Sequence, residues 1–246
     1  MTRHNIIAAV MVVCILVFWE TACRIFNVPD FILPVPSRII QVAILSAPIL
    51  LPHAAVTALE IVLGIILALL IAIPLATFMF MHRSLERALS PFLVASQAIP
   101  VFALAPLLVI WLGYGIASKV LMAAIIIFFP ITVSLLEGYK NCGHDYITLF
   151  VIMGSDFRKT WRLLYWPWAL PFFFAGLKVG VAVATIGAVI GEWVGAQRGL
   201  GYIMIQANAR LAVDMVFAAI LWLSAMGLGM WAGVGYLERR VIDWHQ

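Results

Sequence analysis

Five ionisable side chains lie inside or at the edges of long apolar runs: Glu20, Glu60, Glu137, Lys178 and Glu192. A charge in such surroundings is costly to desolvate, so each is a candidate for guiding a solute, holding an ion or relaying a proton. Each also has a structural use. Glu20 and Glu137 stand close to the ends of their runs, within reach of water or lipid headgroups. Lys178 sits about two turns inside its run and can extend its stem to the interface. Glu60 reads first as a structural acid, while Glu192 reads equally as lining a solute pathway and as pairing within the protein. Ser96, Gln97 and Thr185 are polar positions in otherwise apolar runs. Gln97 and Thr185 join Glu192 as candidate pathway residues, although hydrogen bonding between helices is the commoner use of such side chains.

The constellations that would make an enzyme are missing. The chain has no GxxxxGK[ST] phosphate loop, no HExxH, no GxSxG and no Asp-rich cluster. Cys14, Cys23 and Cys142 form neither a CxxC pair nor a His-spaced metal pattern, so they read as small packing residues. No cofactor, metal or catalytic residue is expected.

What must position these side chains is a membrane-embedded scaffold. Apolar residues make up 65% of the 246 residues and charged ones only 11%, against about 25% charged in soluble domains. Nucleic-acid binding is a poor reading of the +4 net charge, because in a membrane protein the placement of positive residues matters more than their sum. Arg3 ahead of an apolar run suggests a signal peptide, but Glu20 follows directly without an A-x-A site, so the segment reads as a retained membrane helix.

A span needs about 20 apolar residues. Six segments qualify: Ile6–Phe26, Thr57–Met81, Pro91–Trp111, Lys119–Glu137, Leu170–Val194 and Val216–Leu237. The expectation is an all-α integral membrane protein. Five prolines between Pro29 and Pro52 should break any long helix there, leaving a short interfacial helix over Arg38–Ser46 capped by Ser37. Charged and glycine hinges follow at His82–Arg87 and Gly113–Gly115. Gly176 and Gly180, then Gly187, Gly191 and Gly195, stand four apart, as do Gly229 and Gly233. That spacing lets helix backbones approach closely, which makes the fifth span central.

With a cytoplasmic N-terminus, Arg3, Arg83, Arg87, Lys140, Arg158, Lys159, Arg162, Arg239 and Arg240 fall on the cytoplasmic side, against Arg24, Arg38, Lys119, Arg198 and Arg210 outside. The excess favours that orientation, with both termini in the cytoplasm. It also places there the one long stretch that is neither a span nor an ordinary loop, His144–Pro167. Gly154-Ser155-Asp156 divides it, with Ser155 or Asp156 able to cap a second helix. In that helix Phe157, Trp161 and Leu164 share an apolar stripe beside Arg158 and Arg162.

This stretch resembles the coupling loop of ABC importer permeases, whose motif runs E-A-A, three residues, Gly, nine residues, then I-x-L-P. Gly154 takes the glycine, Ser155–Leu163 the nine residues, and Leu164-Tyr165-Trp166-Pro167 the end. Thr148, Leu149 and Phe150 replace E-A-A, which removes one expected polar contact with the ATPase, and Trp166 replaces the leucine. Leu33–Ser37, Ala98–Pro100, Ala105–Leu107, Trp111–Gly115, Gly191–Ala196 and Gly199–Tyr202 resemble the nitrate/sulfonate/taurine-type branch. With Gln206–Arg210 the likeness extends to members assigned to pyrimidine thiamine-precursor uptake.

The resemblance implies a six-span type I importer permease in the plasma (inner) membrane, working by alternating access. Its division would be residues 1–53 (first span and Pro-rich segment), 54–240 (permease core, coupling loop 144–167 between spans 4 and 5) and 241–246 (cytoplasmic tail). It implies a second copy of the chain, two cytoplasmic ATPase subunits and a periplasmic or lipid-anchored binding protein. Coupling falls to Gly154, Ser155, Asp156, Phe157, Arg158, Trp161, Leu164 and Pro167. The solute would be a hydroxymethylpyrimidine-type thiamine precursor, with sulfonate, taurine, nitrate or riboflavin as alternatives. A secondary transporter would instead show a paired intramembrane acid and base with inverted repeats, and a channel would show rings of charge.

Overall fold

The computed structural model describes residues 3–242; from 243 on, the expected tail lies outside the described residues. The described residues form helices and connecting turns. In chain order these are α1 (Arg3–Ile25), α2 (Pro36–Leu45), α3 (Ala47–Met81), α4 (Arg83–Ala98), α5 (Val101–Leu112), α6 (Ile116–Lys140) and α7 (His144–Ile152). They continue with α8 (Phe157–Trp193), which widens into a π-turn at Trp161–Tyr165, then α9 (Leu200–Ala209) and α10 (Val213–Val241).

Among the described residues four helices, α3, α6, α8 and α10, are long and apolar enough to cross a membrane. The expected span Pro91–Trp111 is not one rod. It is shared between α4 and α5, which meet at a bend of 97°. Pro100 is the cause: it disfavours helical backbone at Ile99, which is extended at φ −76°, ψ 121°. Most of the expected first span falls within α1, which is not among those four helices. Pro52, by contrast, does not break its helix. Pro48 occupies the first turn of α3, where a missing N–H costs nothing, and the helix runs on through Pro52.

The chain folds as two compact units. One comprises residues 3–57 and 197–225. In it Glu20 of α1 reaches the start of α2, accepting from the Ser37 amide at 3.0 Å and its hydroxyl at 2.8 Å. Ser37 was expected to cap this helix with its own side chain. Pro36 instead occupies the first turn, Val35 is the cap residue, and the acid of another helix satisfies the amide. The same unit holds the start of α9, where Gly199 adopts φ +118°. There the Leu200 amide donates to Thr57 Oγ1 at 2.9 Å, and the Gly199 amide to His53 Nδ1 at 3.0 Å. Leu200 is fully buried and Tyr202 stacks on His53.

The other unit comprises residues 58–196 and 226–242, and its core is the pairing of α6 with α8. A Cβ added at Gly176 would lie 2.6 Å from the Pro130 carbonyl, at Gly187 3.0 Å from Ala123 Cα, and at Gly191 3.2 Å from Lys119 Cα. Gly138 and Gly180 are comparably tight. The expected close approach along the fifth span is thus present, and its partner is α6. Gly64 brings α3 against Ala123 in the same way. Gly229 and Gly233 behave differently: among the described residues nothing lies within 4 Å of an added Cβ at either.

Candidate functional site

The His144–Pro167 stretch divides at Gly154, but its two halves differ from expectation. The first half is a separate short helix, α7, none of whose residues is fully buried. Leu149, Val151, Ile152 and Met153 are exposed, while Ile147 and Phe150 are half-buried. Its end closes through the backbone. The Ser155 amide donates to the Phe150 carbonyl and the Gly154 amide to Val151, both at 3.0 Å, with Gly154 at φ +67°. This is the paired-bond helix ending that needs a left-handed residue, which glycine supplies at least cost. At the other end Tyr146 packs on Trp168, whose indole donates to the Asn141 carbonyl at 3.0 Å. Nearby Cys142 is buried, and burial pushes its thiol above the ordinary range.

The second half is not a separate helix. Phe157, Arg158, Trp161, Leu164 and Pro167 form the opening turns of α8, which continues to Trp193. Leu164 and Thr160 face inward, Trp161 packs on Trp166 at 5.5 Å, and Phe157, Arg158, Lys159 and Arg162 are exposed. Asp156 occupies the cap position, but neither it nor Ser155 makes the expected side-chain cap. The Asp156 carbonyl accepts from the Thr160 amide at 2.9 Å, and Thr160 Oγ1 donates to Ser155 Oγ at 3.2 Å. The turn is thus held by main-chain bonds together with the Thr160 hydroxyl, which also reaches the Asp156 carbonyl at 3.1 Å. Sequence reasoning missed the apolar surface of α7. The available signal was the run Tyr146–Met153, apolar except for Thr148, between Gly143 and Gly154 and far too short to span.

The other end of α6 and α8 carries a buried charge cluster. Glu60 of α3, Lys119 of α6 and Glu192 of α8 are 3%, 2% and 1% exposed. The Glu60 carboxyl lies in hydrogen-bond contact with that of Glu192, and the Lys119 charge acts on both. The Lys119 ammonium donates to the carbonyls of Tyr114 at 2.6 Å and Gly115 at 2.9 Å. Lys119 was expected at the outer end of the fourth span; it is instead interior, with Gly191 opposite it making room. Of the other candidate pathway residues, Gln97 is exposed and reaches Ser96 at 3.5 Å, and Thr185 reaches its own helix at the Ala182 carbonyl. Lys178 is not extended to an interface: it is paired with Glu238 of α10. A further ion pair joins Lys140 of α6 to Glu86 of α4 at 2.5 Å.

Comparison with known proteins gives these features a context. The family described as binding-protein-dependent transport system inner membrane component matches residues 60–243. A probable ABC transporter permease protein of Haemophilus influenzae is 41% identical over 93% of this chain and 93% of its own length. The formylaminopyrimidine transport permease protein ThiX of Halalkalibacterium halodurans is 39% identical over 94% of this chain and 93% of its own. Among solved structures, inward-facing MetNI methionine ABC transporter matches with a TM-score of 0.70 at 16% identity, over 80% of this chain and 97% of that one, which shows a common fold. The family match covers well over half the chain, both relatives align almost end to end, and the apolar helices suit a multi-pass protein of the inner membrane. The chain therefore belongs to the binding-protein-dependent inner-membrane components, the permeases of ABC importers.

Proposed function

We propose that this chain is the permease through which an ABC importer brings a pyrimidine-type thiamine precursor into the cytoplasm, driven by separate ATPase subunits that dock on α7 and the Gly154 elbow. The observation that carries the docking assignment is the exposed apolar face of α7. A nine-residue helix showing Leu149, Val151 and Ile152, with Met153 directly after it, is an unpartnered surface too short to be a span. Arg158, Lys159 and Arg162 flank it and suit the cytoplasmic side. The functional unit is two copies of this chain, two ATPases and an external binding protein, with both termini cytoplasmic. Gln97, Thr185 and Glu192 remain the proposed pathway residues.

Identity of 39% to a formylaminopyrimidine permease over nearly the whole chain supports the solute class. The alternatives are taurine, another sulfonate, nitrate or riboflavin. The test is transport into liposomes holding this permease, its ATPase and its binding protein. Labelled hydroxymethylpyrimidine or formylaminopyrimidine should enter only with internal ATP, and taurine and riboflavin should not compete. Competition by either would overturn the solute assignment alone. Leu149→Asp and Ile152→Asp should abolish ATP-driven uptake while leaving the permease in the membrane, and normal uptake by both would overturn the docking assignment.

A further inference from the structure

The charges in the Glu60–Lys119–Glu192 cluster do not balance: two carboxyls face one ammonium, all three at most 3% exposed. Uncompensated charge at such depth is costly enough that proteins pair or neutralise it. Two of the three ammonium N–H groups of Lys119 are committed to the Tyr114 and Gly115 carbonyls, which leaves one for the acids. The two carboxyls are in hydrogen-bond contact with each other. Ionised carboxylates are acceptors only, so such a bond exists when one of the two groups holds a hydrogen. In addition, Glu60 Oε2 is buried with no hydrogen-bond partner. A full negative charge tolerates that badly, and a neutral acid far better.

We propose that Glu60 and Glu192 form a proton-binding site, sharing one proton that makes the cluster neutral with Lys119 and ties α3, α6 and α8 together. Glu60 from α3, Lys119 from α6 and Glu192 from α8 are the charged groups these helices bring to the site. The proton is the ligand because all three groups are at most 3% exposed and one shared hydrogen both satisfies the carboxyl pair and balances the charge. Nothing in this depends on which solute the permease carries.

The assignment makes a charge-counting rule. Glu60→Gln or Glu192→Gln alone replaces the protonated partner by an amide that donates to the remaining carboxylate, so the sum stays zero. The double Gln variant strands the ammonium, and Lys119→Met strands a carboxylate. The test is infrared spectroscopy of the purified full chain at pH about 8, where ordinary carboxyls are ionised. The wild type should show a protonated-carboxyl band that shifts in heavy water and is absent from either single Gln variant. In thermal unfolding the single variants should melt with the wild type, while the double variant and Lys119→Met melt earlier or are lost on extraction. Absence of the band in the wild type, or its persistence in both single variants, would overturn the proposal. So would single variants as destabilised as the double one.

Discussion

Lys178 on α8 donates to the carboxylate of Glu238 on α10, and the Trp231 ring lies 5.7 Å from the same ammonium. The pair links two helices that both enter the core of the larger unit, and each side chain is about a quarter exposed. A lysine held by both an acid and an aromatic face has no reason to reach for the membrane surface.

Removing one partner should therefore cost more than removing both. Lys178→Met leaves Glu238 unmatched and should lower stability by about 1–3 kcal/mol. The double variant with Glu238→Gln should recover part of that loss, with a coupling energy of about 1 kcal/mol. Thermal unfolding of the four proteins in detergent closes the cycle, and strict additivity would show that the pair contributes nothing.

The two glycine sets should separate sharply. Gly176→Ala puts a Cβ 2.6 Å from the Pro130 carbonyl and should cost about 1–3 kcal/mol. Gly229→Ala meets nothing and should stay within about 0.5 kcal/mol of the parent, or gain slightly, since alanine is the better helix former. Melting temperatures of the two purified variants decide this.

That contrast shows what the sequence makes legible. Residue spacing announces that a helix has a small-residue ridge, as at Gly176 to Gly191, but not whether a neighbour fills it, as Gly229 and Gly233 demonstrate. Long apolar periodicity placed α3, α6, α8 and α10 correctly because a span is a local property of about 20 residues. The bend at Pro100, the cap that Glu20 provides for α2, and the burial of Lys119 are tertiary outcomes. Each depends on a partner distant in the chain. Pro52 shows the same limit in reverse: a strong local breaker was overridden in the long α3 helix. The stretch His144–Pro167 stands out in the sequence through Gly154, but its division into helices does not. The second half reads as a separate amphipathic helix when seen alone, yet it is the start of α8.

Gly154→Leu forces a branched side chain into the left-handed region at φ +67°, where it meets no steric neighbour but strains the backbone by about 1–2 kcal/mol. The variant should insert and assemble normally while hydrolysis by the partner ATPase becomes uncoupled from uptake. The ratio of ATP hydrolysed to solute imported is the measurement, and an unchanged ratio would refute the elbow's role.

At the head of α9 the Thr57 hydroxyl receives the Leu200 amide. Thr57→Val should cost about 1 kcal/mol, as for a lost helix cap, and Thr57→Ser most of the way less. Hydrogen exchange at residues 200–203 would localise the loss.

Burial holds the Cys142 thiol above its ordinary range. Its folded-state value exceeds the unfolded one, so its contribution to stability is complete below the unfolded value and falls as pH rises through the folded one. Maleimide should react slowly with Cys142 in the folded protein at neutral pH and rapidly after denaturation. Fast native labelling at that residue would contradict its burial.

Gly143 and Gly154 bracket α7, and what lies beyond them is α6 on one side and α8 on the other. Those two helices are the pair welded by glycine contacts from Gly138 to Gly191, and α6 has 25 residues, or about 37 Å of length. The short helix α7 is thus joined at both ends to one closely packed pair. At the far end of that same pair Lys119 and Glu192 meet Glu60.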